Sequence, residues 1–141
     1  MKRILTICTG NICRSPMAAA LLKSRLGPSH RVESAGVAAV VGYPPTKEMA
    51  RTAAERGLDL STHRARQLQA TLASDFELLL VMERAHKRWV AANIPQARGR
   101  TFSLGHWRNM EIPDPYGGCM KTYEESCKLI EACADDWLER L

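Results

Sequence analysis

Hydrophobic and polar positions fall in blocks along this chain, short apolar runs giving way to amphipathic stretches. The first run, Ile4 to Cys8, predicts a strand over 2–8 and stops at Thr9-Gly10-Asn11. Met17, Ala20, Leu21 and Leu22 then recur at helical spacing, predicting a helix over 16–26 that Gly27-Pro28 ends. A short strand over 31–35 stops at Gly36, and 37–45, with Gly42 and two prolines, reads as loop. Thr46 as N-cap and Gly57 beyond the far end frame a helix over 46–56. Residues 58–67 read as loop, with a short helix from Leu68. The run "FELLLVM" at 76–82 is the most buried-looking strand. A helix over 84–92, a strand over 100–104, a Pro- and Gly-rich loop over 105–118 and a long amphipathic helix over 122–141 follow.

Strands and helices therefore alternate. Strands separated by helices pair in parallel through right-handed crossovers. The predicted fold class is α/β, a three-layer sandwich: a four-stranded parallel sheet with helices on both faces. In such sheets ligands bind outside the carboxyl ends of the strands, and the segment from Cys8 to Arg14 falls at that edge. A length of 141 residues suits one domain, 1–141. No repeat, linker or low-complexity segment divides it.

Composition excludes more than it names. The hydrophobic share of 45% and the charged share of 25% are ordinary for a globular chain. No apolar run approaches the ~20 residues of a membrane helix, so no membrane insertion is expected. The apolar stretch after Met-Lys-Arg is too short for a secretory leader, and a cytoplasmic location is expected. Cys8, Cys13, Cys119, Cys127 and Cys133 are an odd set without scaffold spacing, which suits free thiols in a reducing compartment. The cysteines include no C-x₂-C pair, and His30, His63, His86 and His106 form no H-x₃-H pair. No metal and no cofactor are expected. The net charge of +5 favours an anionic ligand. The Lys and Arg residues are scattered without interleaved aromatics, so nucleic acid is not an expected partner.

The chemistry concentrates in "CTGNICRSP", residues 8–16. Gly10 and Asn11 tolerate positive φ, so the backbone can curl and turn successive N–H groups inward as an anion nest. Ser15 as N-cap and Pro16 at the first helical position would open a helix whose positive end meets the same point. Arg14 supplies a planar fork matched to two phosphate oxygens. Cys8 sits at the centre, where positive surroundings favour the thiolate and the Ser15 hydroxyl can donate to it. A nucleophilic sulfur beneath a phosphate cradle suits phosphoryl transfer to sulfur. The expected phosphate-binding residues are Thr9, Gly10, Asn11, Ile12, Cys13, Arg14 and Ser15.

This loop resembles the signature loop of the low-molecular-weight protein-tyrosine phosphatases. The similarity continues through "VESAG" at 32–36, "GLDLSTHRARQL" at 57–68, "GHW" at 105–107 and "EIPDPY" at 111–116, in the family's order and over almost the whole chain. The bacterial branch linked to exopolysaccharide tyrosine kinases is the most similar. Thr9 departs from the pattern, which has an apolar residue there. The resemblance implies a cysteine-dependent protein-tyrosine phosphatase acting on an autophosphorylated tyrosine kinase of exopolysaccharide production or export. It also implies that Asn11, Ser15, Ser34 and His63 form a hydrogen-bond network supporting the loop.

Cysteinyl-phosphate chemistry also needs a proton for the departing phenolate. A positioned carboxylic acid is worth typically 10²–10⁴-fold. Asp114 is the candidate: Pro113 and Pro115 stiffen its backbone, and in the family the matching Asp is the general acid. The catalytic set is then Cys8, Arg14 and Asp114. Val40, Val41, Tyr43 and Tyr116 are expected to wall the substrate pocket. Cys13, five residues from Cys8, is a candidate partner for a reversible protective disulfide. A monomer or weak dimer is expected. Three rivals are weaker. Arsenate reductase relays a disulfide through cysteines after the third strand, and that segment has none here. A phosphocysteine carrier must retain its phosphate, against Arg14 and Asp114. A catalytically dead phosphotyrosine-binding module would have lost one of the catalytic three.

Overall fold

The computed structural model describes residues 2–141 and places four parallel strands side by side in the order β2-β1-β3-β4. β1 (Arg3–Cys8) lies between β2 (Arg31–Gly36) and β3 (Leu78–Val81), and β4 (Thr101–Ser103) forms an edge. Ile4 pairs with Val32 on one side and Leu78 on the other. The helices are α1 (Arg14–Leu26), α2 (Lys47–Ala54), α3 (Ala70–Ala73), α4 (Arg84–Asn93) and α5 (Met120–Leu138).

Strand side chains alternate between faces, and here both faces are apolar. Ile4, Cys8, Leu80 and Met82 enter one core with Met17 and Leu22 of α1, Met49 of α2 and Ile130 of α5. Leu5, Ile7, Leu79 and Val81 enter a second core with Phe76, Val90 and Ile94. A parallel sheet buried on both sides needs this near-continuous apolar run, and the three layers follow from it. Cys127 and Cys133 are fully buried small residues of α5, and burial pushes their thiols up to about 12 and about 11. Among the described residues, no helix is long and apolar enough to cross a membrane.

The elements expected from the pattern are present, with shifted ends. β3 is shorter than 76–82 because Phe76 turns into the second core before the ladder begins. A 3₁₀ turn over Pro95–Arg100 precedes β4, and another over His106–Arg108 interrupts the long loop. α5 begins two residues early, at Met120. Thr46 caps α2, its hydroxyl accepting from Met49 N at 3.3 Å. Ser15 is not the N-cap of α1. That helix starts at Arg14 with Cys13 before it, and the Ser15 hydroxyl is engaged elsewhere.

The end of β2 sets how closely the loop after β1 can lie. A Cβ on Gly36 would sit 2.4 Å from Thr9 O and 3.1 Å from Asn11 N. Backbone atoms at that distance cannot swing aside. Gly36→Ala is therefore expected to cost about 1–3 kcal/mol, an overpacking penalty. Gly99→Ala, with no atom within 4 Å of the new Cβ, should be neutral or slightly stabilising. Urea denaturation of both variants checks this. Equal stabilities would contradict the close approach.

Candidate active site

The loop leaving β1 curls at Asn11, whose φ of 60° is left-handed. Gly10, which tolerates the same conformation, does not adopt it. A left-handed non-glycine residue is strained and persists only when its surroundings hold it. Asn11 is fully buried and held on every polar atom of its side chain. Its Nδ2 donates to Ser15 Oγ at 2.8 Å and Ser34 Oγ at 2.9 Å, and its Oδ1 accepts from Arg66 N at 3.0 Å. His63 Nε2–H donates to its carbonyl at 2.7 Å. The N–H groups of Gly10 to Ser15 find no acceptor among the described residues. Cys8 Sγ lies 2.9 Å from Ser15 Oγ, so a hydroxyl already anchored by Asn11 can donate to the sulfur.

Arg14 is the largest fully buried side chain, at 1% exposure. Its Nη1 donates to Glu83 Oε2 and to Ile112 O, both at 2.7 Å. Its Nη2 is 3.6 Å from Asp114 Oδ2. Its Nε is buried with no partner. A buried guanidinium proton without an acceptor is costly, and the edge of the fork that makes no hydrogen bond, Nε with Nη2, has the geometry to donate to two oxygens of a tetrahedral anion.

Glu83 also precedes α4, whose first turn carries His86. Glu83 N–H donates to His86 Nδ1 at 3.1 Å, so the neutral ring keeps its proton on Nε2 and donates to Thr9 Oγ1 at 2.9 Å. The departure at Thr9 thus acquires a partner. Burial, with the Arg14 charge second, lowers His86 to about 4. Burial likewise lowers His63.

A cavity of about 300 Å³ opens over the loop, lined by Cys8, Ile12, Arg14, Val40, Tyr43, Asp114 and Tyr116 among others. Asp114 is half-exposed, and its Oδ1 accepts from Tyr116 N at 3.0 Å, an Asx turn that fixes the Asp114 carboxylate at the rim. The walls are mostly apolar or aromatic and the floor is cationic. This arrangement can receive an aryl group carrying a doubly charged tetrahedral anion. No group of three His, Cys, Asp or Glu side chains among the described residues could hold a metal ion.

The sequence profile described as "Low molecular weight phosphotyrosine protein phosphatase" matches residues 3–141. The chain belongs to that family. It is 42% identical over 141 residues to a probable low molecular weight protein-tyrosine-phosphatase, EpsP, of Ralstonia solanacearum, covering 100% of this chain and 97% of the relative. The solved structure of Wzb from Vibrio vulnificus in complex with benzylphosphonate superposes with a TM-score of 0.96 at 35% identity, covering 99% of each chain. An arginine phosphatase, YwlE of Geobacillus stearothermophilus, superposes with a TM-score of 0.93 at 34% identity, covering 99% of this chain and 92% of the other. These comparisons make the chain a protein-tyrosine phosphatase.

Within this phosphatase the fold gathers Cys8, Arg14 and Asp114 around one cavity, although 100 residues separate Arg14 from Asp114 in sequence. It joins Asn11 to Ser15, Ser34 and His63 directly. Val41 departs from expectation: it is 65% exposed and outside the cavity lining, where Ala38 stands instead. The turn over 41–42 carries Val41 outward, since Val40 is fixed by a backbone bond to Gly10 O. Cys13 also lines the cavity, but its Sγ sits 3.6 Å from Thr46 Oγ1 and 3.7 Å from Tyr123 OH. Burial raises this thiol, and a disulfide to Cys8 requires giving up both contacts. Sequence reasoning missed Glu83, His86 and the Ile112 carbonyl. Glu83 had one visible signal, a charged residue directly after the most apolar strand, at the binding edge of the sheet.

The two depressed histidines make stability depend on pH. The unfolded chain protonates His86 near 6.5, while the folded chain resists until about 4. The unfolded state therefore binds the extra proton between these values, and stability present above 6.5 is lost as pH falls toward 4. Urea midpoints across that window should fall, and fall less steeply in His86→Gln. Parallel profiles would show that His86 is not held neutral.

Proposed function

We propose that this phosphatase hydrolyses phosphotyrosine through a cysteinyl-phosphate intermediate, with Cys8 as nucleophile, Arg14 and the loop amides as the phosphate cradle, and Asp114 as acid and then base. The Cys8 thiolate attacks phosphorus while the bond to the phenol oxygen breaks, and Asp114 gives that oxygen its proton. In the second step Asp114 takes a proton from water as the water oxygen attacks phosphorus. The P–S bond breaks, inorganic phosphate leaves and the thiolate returns. Charge accumulates on the equatorial oxygens, so preorganised donors supply the largest share of stabilisation. The observation that carries this reading is the unpartnered Nε of buried Arg14 in the cavity that Cys8 also lines. The cysteine-to-serine variant of a related arginine phosphatase, which holds a phosphorylated active-site serine, supports a covalent step.

The phenyl-bearing phosphonate bound by the Vibrio relative supports an aromatic substrate, as do Ile12, Ala38, Val40, Tyr43 and Tyr116 around this cavity. Phosphoarginine is the second reading, favoured by the Geobacillus relative. It suits the cavity less, because Asp114 is the one carboxylate in the lining available to a guanidinium. The relatives named EpsP and Wzb support a bacterial tyrosine kinase of exopolysaccharide production or export as the substrate protein. Such a substrate would be met in the cytoplasm.

A phosphotyrosyl and a phosphoarginyl peptide of otherwise identical sequence separate the readings. Wild type should release phosphate from the first at least tenfold faster, and Cys8→Ser from neither. Asp114→Asn should slow aryl phosphates with poor leaving groups by about 10²–10⁴-fold and good ones much less. Uniform slowing across the leaving-group series would refute Asp114 as the acid. Faster turnover of the phosphoarginyl peptide would replace phosphotyrosine as the substrate.

A further inference from the structure

A second cleft, of about 470 Å³, lies between α4 and the segment running from the 3₁₀ turn at 95–100 through β4 to Glu111. α4 presents Arg84, Lys87, Arg88 and Ala91 to it, a spacing that places all four on one face of the helix. Arg98 faces them across the cleft. Elsewhere Arg3, Arg25, Arg31, Arg56 and Arg108 each pair with a carboxylate. In the cleft Lys87, Arg88 and Arg98 have no carboxylate within 4.0 Å among the described residues, and Arg84 has only Glu111, at 3.6 Å. Like charges one turn apart repel, so four cations whose one counter-charge in the cleft is Glu111 are relieved by an anion from outside.

The near end of the cleft abuts the active site. Arg84 follows Glu83, and Glu111 precedes Ile112, the two residues that hold Arg14. The cleft runs beside β4, two strands from β1 in the sheet order, a separation of roughly 10 Å at ~4.8 Å per strand. An extended peptide advances about 3.3 Å per residue. A chain whose phosphotyrosine sits over Cys8 would thus bring residues about three to six positions away into the cleft. We propose that this cleft binds an acidic segment of the phosphoprotein substrate flanking the target tyrosine, so that Arg84, Lys87, Arg88 and Arg98 select substrates by carboxylates outside the catalytic cavity. This rests on the phosphopeptide reading of the catalytic cavity.

The test compares two phosphotyrosyl peptides, one with a run of glutamates three to six residues from the phosphotyrosine and one with glutamines there. Wild type should show kcat/KM at least fivefold higher for the glutamate peptide, mainly through KM, and the advantage should vanish at high salt. Arg88→Glu/Arg98→Glu should reduce the ratio to below twofold while turnover of a small aryl phosphate stays within twofold of wild type. Lys23→Glu/Lys128→Glu, exposed positions outside the cleft, changes net charge equally and should keep the full ratio. Equal rates for the two peptides in wild type would overturn the proposal, whether or not the first double variant folds. So would an equal loss in both double variants, which would assign the preference to net charge alone. Aryl phosphate turnover in wild type reports separately on the catalytic reading.

Discussion

Everything at the catalytic edge depends on a buried positive charge. Desolvating a guanidinium is expensive, and removing one partner of a buried ion pair typically costs about 3–5 kcal/mol. Arg14 meets that cost with Glu83 from the end of β3 and the carbonyl of Ile112 from the loop before Asp114. Three segments far apart in sequence are tied at one guanidinium. Both strong bonds fall on Nη1, so the grip that fixes the side chain does not consume the edge that faces the cavity. Rigidity and an unpartnered edge arise from one geometry.

The loop is restrained by a second device, at Asn11. A left-handed residue of this kind costs of order 1–3 kcal/mol, and the surrounding bonds to Ser15, Ser34, Arg66 N and His63 offset it. Gly36 completes the restraint by letting β2 approach within contact of Thr9. The curled loop from Gly10 to Ser15, whose N–H groups find no acceptor among the described residues, is therefore held in one shape by neighbouring side chains. Thr9 extends the same network to α4 through His86.

The sheet and its layers were legible because burial on both faces leaves uninterrupted apolar strands, and because Gly27 and Gly57 mark helix ends in one dimension. Cys8, Arg14 and the loop between them stood out as one cluster because they lie within seven residues. The place of Asp114 beside the same cavity could be anticipated only through its prolines and its resemblance to a known motif. Glu83 and the Ile112 carbonyl were not, since their role exists only when β3 and the 105–118 loop are folded beside β1. His86 read as one of four histidines until its two ring nitrogens were placed. Val41 was misassigned because a turn, rather than a strand period, decides which of two adjacent valines faces the cavity. Ser15 fitted the statistics of an N-cap, yet its hydroxyl lies between Asn11 Nδ2 and Cys8 Sγ, so tertiary contacts override local preference.

On the proposed mechanism, the free edge of the Arg14 guanidinium receives the phosphate. The ¹⁵N–¹H signal of Arg14 Nε reports on that edge directly. Titration with inorganic phosphate should shift this signal in a saturable way, at the same concentrations that inhibit hydrolysis of an aryl phosphate. Inhibition with the Nε signal unmoved would place the phosphate elsewhere and remove Arg14 from the cradle.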